Sequence, residues 1–177
     1  MEDKQFLAMQ FEALRKEIAA TKARLFTTVC LGLVAVPVLT YMSESHGTRF
    51  LAPILPFVVL VLTILFVSEE NALMRCGRYI RERVEAQIEP GWESWLESQP
   101  GLRLMDKCLF GCFLITFFVF YFASAGMAIE ILWTSGDSGG LSGDIRAGLG
   151  GVVYAIGAIW MIITVLSHWR SSTATTP

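Results

Sequence analysis

Over long stretches this sequence has no charge at all. None falls between Leu25 and Met42, Ala52 and Val67, Cys108 and Ile129, or Ala147 and Ser167. Charged residues make up 17% of the chain, histidines number two and cysteines four, where a soluble globular domain carries about 25% charge. Each shortage excludes something. Cys30, Cys76, Cys108 and Cys112 form no paired C-x-x-C set with histidine, so no metal centre is expected. Cys108 and Cys112 share a helical face and read as small, reduced core residues. The apolar runs lack the ionisable groups that proton-coupled transport and membrane-embedded catalysis need. We therefore expect no enzyme and no cofactor.

What is there instead is apolar: 54% of the residues are hydrophobic and the mean hydropathy is +0.54. A chain of 177 residues is one domain's worth of material, too little to surround four long helices that are apolar on every face. A helix needs about 17–25 apolar residues to cross a hydrocarbon core. The sequence predicts an all-α, integral membrane four-helix bundle with spans at 25–42, 51–67, 108–132 and 147–168. Around these lie an amphipathic helix at 1–24, a helical segment at 68–106, a Gly/Ser-rich loop at 134–146 and a tail at 169–177. The opening residues, MEDKQFLAMQ, begin acidic and amphipathic rather than as a short apolar core with a cleavage site, so the first span is expected to be retained.

Orientation follows from where Lys and Arg lie. Twelve of the fourteen fall in 1–24, 68–107 and the tail, against Arg49 and Arg146 on the other side. This predicts an N-in, C-in protein with its long middle segment in the cytoplasm. Trp133 and Trp169 stand at opposite span ends, where amphipathic rings settle. Pro37 is expected to kink the first span.

In the cytoplasmic parts, Leu7, Phe11, Leu14 and Ile18 recur at steps of four, three and four, the seam of a helix that packs on another. That seam is too short to stand alone, and it needs a partner in the chain or in a second copy. The internal candidate is a helix from about Ser68 to Glu89, with Leu73, Cys76, Ile80, Val84 and Ile88 on one face. Ser68-Glu69-Glu70 reads as an N-cap with an acidic first turn, so the helix is expected to restart there. Pro90-Gly91 ends it, and a short Trp92–Ser98 helix follows.

Four patterns suggest chemistry. Gly136–Gly140 reads GDSGG, the string around a serine-protease nucleophile, with His46 on the same side. A triad needs a rigid scaffold and an oxyanion hole, and a hydrolase using Ser138 gives way to a flexible linker. Arg75, Arg78, Arg81 and Arg83 suggest phosphate, but Arg78–Glu82 and Arg81–Glu85 are i,i+4 pairs, which argues against nucleic acid and leaves anionic lipid or a nucleotide signal. Glu130, at the outer end of the third span, is an interfacial carboxylate or a pore mouth. Ala147, Gly151 and Ala155 set a small-residue stripe for helix or oligomer packing. Phe117, Phe118, Phe120, Tyr121 and Phe122 supply lipid-facing or interhelical bulk.

The string RCGRYIRERVE followed by PGWESWLE resembles a motif of uncharacterised bacterial four-span membrane proteins. Its positions here are Arg75, Gly77, Tyr79, Ile80, Arg81, Glu82, Gly91, Trp92 and Glu93. The layout of a cytoplasmic helix plus a small span bundle is similar to SLATT-type effectors of bacterial nucleotide-signalling defence. These likenesses imply a bacterial inner-membrane protein and pore formation. The expected protein is a homo-oligomer that permeabilises or conducts on a cytoplasmic signal. The alternative is a non-conducting scaffold that binds a cytoplasmic partner through Arg75, Arg78, Tyr79, Arg81, Trp92 and Trp95.

Overall fold

The computed structural model describes residues 2–44, 49–85, 95, 99–134 and 143–173. Among these everything is helical except the turn at 52–54 and Gln99. Helix α1 spans Glu2–Glu44, a 3₁₀ turn covers Arg49–Leu51, and α2 spans Leu55–Tyr79 before opening into a π-helical turn, Ile80–Val84. Helix α3 spans Pro100–Thr134 and α4 spans Gly143–Thr173. All four are long and apolar enough to cross a membrane, in keeping with a multi-pass membrane protein.

Pro37 lies inside α1, which runs on past it; the Thr40 hydroxyl donates to the Val36 carbonyl at 2.8 Å. One local expectation changes. Helix α2 does not restart at Ser68. A cap matters only where backbone N–H groups have lost their partners. Here the carbonyls one turn earlier are already helical, and no Pro or Gly breaks the chain. Pro100 does begin α3, at the first turn, where a missing N–H costs nothing.

The chain divides into two compact units, Met1–Thr27 with Ser68–Phe113 and Thr28–Val67 with Leu114–Pro177. The second, apolar unit is held by aromatic packing. Phe66 and Phe117 are 1% exposed, with ring centroids 5.8 Å apart. Gly32 makes room for that pair: a Cβ there would lie 2.7 Å from the Phe117 ring. Tyr121 donates its hydroxyl to the Tyr154 carbonyl at 2.7 Å, and Tyr154 donates its own to the Pro53 carbonyl at 2.9 Å. Ala125, Ala128 and Tyr154 form a small buried cluster with Ile129 against it. The α3 aromatics thus split, Phe117 and Tyr121 inward and Phe122 outward. Buried hydroxyls bond back to their own helix, as Thr63 does to the Val59 carbonyl at 2.8 Å. No buried side-chain N or O among the described residues lacks a partner, the condition for burying polar groups cheaply.

Candidate functional site

The charged unit is where the candidate recognition residues lie. Phe11, Leu14 and Ile18 are half-buried and lead to Thr21, which is fully buried; the side chain of Leu7 lies outside the described residues. The partner of α1 is α2, running antiparallel to it. Gln10 Nε2 donates to the Tyr79 hydroxyl at 2.9 Å. Fourteen residues on, Arg24 grips Glu69 through Nε and Nη2, at 3.1 and 3.3 Å. The same Nη2 donates to Thr21 Oγ1 at 3.0 Å. An exposed ion pair contributes only about 0–1 kcal/mol, so this clamp fixes register more than it stabilises.

Glu70 sits just past the uncharged stretch of α2 and is partly buried. Loss of hydration raises its pKa above the usual carboxylate value, Asp106 of α3 raises it further, and Lys22 of α1 acts the other way. Burial likewise pushes the Cys76 thiol up, with Glu17 adding to the effect and Arg75 opposing it, so Cys76 is a poor nucleophile. The cysteines Cys30, Cys76, Cys108 and Cys112 are all free.

The motif helix ends in the π turn, where the Glu85 N–H donates to the Ile80 carbonyl. This seats Ile80 and Val84 at 0% and 1% exposure. It also disturbs the i,i+4 alignment that would join Arg78 to Glu82, since residues five apart now follow one another. No ion pair links those two among the described residues. Arg81 and Glu85 each keep an interaction of their own. Arg75 and Tyr79 are exposed and Arg78 is half-buried; the three fall at i, i+3 and i+4 along α2, on one helical face. Trp95 is exposed and makes an interaction. Gly91, Trp92, Glu93 and the GDSGG string with Ser138 and His46 lie outside the described residues.

In the apolar unit, Glu130 is exposed, with its backbone carbonyl accepting from Thr134 Oγ1 at 3.1 Å. Along the small-residue stripe burial falls off: Ala147 is buried, Gly151 half-buried and Ala155 exposed. Steps of four advance about 40° each around a helix of 3.6 residues per turn, so a strict four-residue stripe rolls outward. The inward face of α4 instead reads Ala147, Tyr154, Gly157 and Met161. Periodicity did not single out Gln10, Arg24 or Glu69. The available signal was charge of opposite sign at the polar edges of two neighbouring apolar runs, Lys22 and Arg24 before the first and Glu69 and Glu70 after the second. No protein family, no curated protein and no solved structure matches the chain.

Proposed function

We propose that the chain is a four-span protein of a bacterial inner membrane, with both termini cytoplasmic. In this reading it assembles with copies of itself and permeabilises or conducts when the charged unit meets a cytoplasmic signal or partner. The observation that carries the reading is helix continuity. Helices α1, α2 and α3 each supply residues to the charged unit and, without a break, to the apolar one. A shift at the Gln10–Tyr79 and Arg24–Glu69 contacts would therefore be felt along the apolar part of the same helices. Phe66, Phe117 and Tyr121 are buried in the interior of the apolar unit, which supports a conduit formed between copies, with Glu130 at its mouth.

The test is entrapped-dye release from phosphatidylethanolamine/phosphatidylglycerol vesicles, with membrane potential followed during overexpression. We expect release and depolarisation from the wild type, both weakened by Arg24→Ala. Absence of both sinks the conducting reading. The exposure of Arg75, Tyr79 and Trp95 favours a second reading, a non-conducting scaffold that displays them to a protein partner. It would show partner capture that Tyr79→Ala abolishes, with no ion flux.

A further inference from the structure

On the apolar unit an open groove of about 370 Å³ lies among α2, α3 and α4. Phe57, Leu132, Leu149, Val153 and Tyr154 line it, and a single charged residue, Arg146, stands among them. Arg146 is half-buried in the first turns of α4. No carboxylate pairs with its guanidinium among the described residues, and no hydrogen bond engages it there. Leu149, Gly150, Val153 and Tyr154 follow Arg146 at i+3, i+4, i+7 and i+8. The groove therefore runs along one face of α4 for two turns, ~10 Å, starting from the cation.

We infer that this groove holds one anionic phospholipid, its phosphate on Arg146 and an acyl chain along Phe57, Leu149 and Val153. The inference rests on the membrane reading above. Its own basis is charge complementarity. A half-buried guanidinium with no partner among the described residues suits an anion, and its planar fork suits a phosphate oxygen pair. The rest of the lining offers only apolar surface, which suits a hydrocarbon chain and nothing polar. Gly150 lets Leu132 pack against α4 as the floor of the groove, since a Cβ there would lie 2.6 Å from Leu132 Cδ1. A zwitterionic lipid would bring an ammonium that this lining does not answer.

The experiment is native mass spectrometry of the full chain in detergent, titrated with palmitoyl-oleoyl phosphatidylglycerol or the matching phosphatidylcholine. Wild type should retain one phosphatidylglycerol per chain. Arg146→Gln should weaken retention about tenfold, the loss of one charge-assisted contact, and Arg146→Lys less. Val153→Trp fills the groove and should abolish retention, with the helical circular-dichroism signal of each variant unchanged. Equal retention by wild type, Arg146→Gln and Val153→Trp overturns the site. So does equal retention of the two lipids, or a Val153→Trp variant that alters only oligomer size, the sign of a second copy in the groove. Flotation with phosphatidylcholine vesicles separates the two failures: a chain that does not float fails the membrane reading, and one that floats without selecting phosphatidylglycerol fails this site alone.

Discussion

Tyr121 shows how one glycine can be the reason for a buried polar contact. Its hydroxyl reaches the Tyr154 carbonyl because Gly157, three residues along α4, has no side chain; a Cβ there would collide with that hydroxyl. The hydroxyl comes in from a neighbouring helix through the space a Gly157 side chain would fill, so this bond depends on that side chain being absent. Gly157→Ala should cost about 1–3 kcal/mol as an overpacking change, and Tyr121→Phe about 1 kcal/mol. The pair together should cost less than the sum, because removing the hydroxyl gives the methyl its space. Thermal unfolding in micelles reads this as Tm losses of about 2–4 °C per kcal/mol. Full additivity would mean that the two residues do not share the site. None of this was legible in the sequence. The run Phe117–Phe122 is aromatic on every face, so it has no periodicity to say which ring turns inward.

Among the elements, the four long helices were readable because uncharged runs of that length have one physical solution in so short a chain. Their polar continuations were less so. The residues after Val67 form helix well, and tertiary contact with α1 rather than a cap decides their course. The spacing placed Ile80 and Val84 on one buried face, but an i,i+4 pattern does not distinguish an α turn from the π turn found there. Packing of α1, α2 and α3 also sets a pH response. Glu70 is raised above its ordinary value chiefly by lost hydration and then by Asp106, with Lys22 opposing. A carboxyl raised on folding binds its proton more tightly in the folded state. Its contribution is thus fully favourable below the unfolded value of 4.5 and is lost as pH rises through the higher folded value. Glu70→Gln should therefore raise Tm at pH 7.5 while changing little at pH 4. A wild type and variant that keep the same difference at both values would show that folding does not shift the Glu70 pKa.

For the whole molecule, the exposed surface of the apolar unit suits a bilayer better than water. Phe57, Val61, Leu65, Ile115, Val119, Phe122, Ile156, Ile159 and Trp160 are each more than 40% exposed. A monomer in water rarely shows contiguous apolar patches beyond a few hundred Å², whereas a bilayer solvates them. Orientation then rests on cations, because each Lys or Arg carried into the hydrocarbon centre costs about 2.5–3.5 kcal/mol. The ion pairs Lys16–Glu12 and Arg24–Glu69 do not weaken that count, since carboxylates contribute little to the bias. Arg83 and Thr134 are both exposed; they follow the second and third apolar runs, and the proposed topology puts them on opposite sides. In a chain whose four cysteines are replaced by alanine, Arg83→Cys and Thr134→Cys report the two sides. A membrane-impermeant maleimide should label Thr134→Cys on intact spheroplasts and Arg83→Cys only after lysis. The reverse pattern would invert the topology, and labelling of both on intact cells would mean that these helices do not separate two compartments.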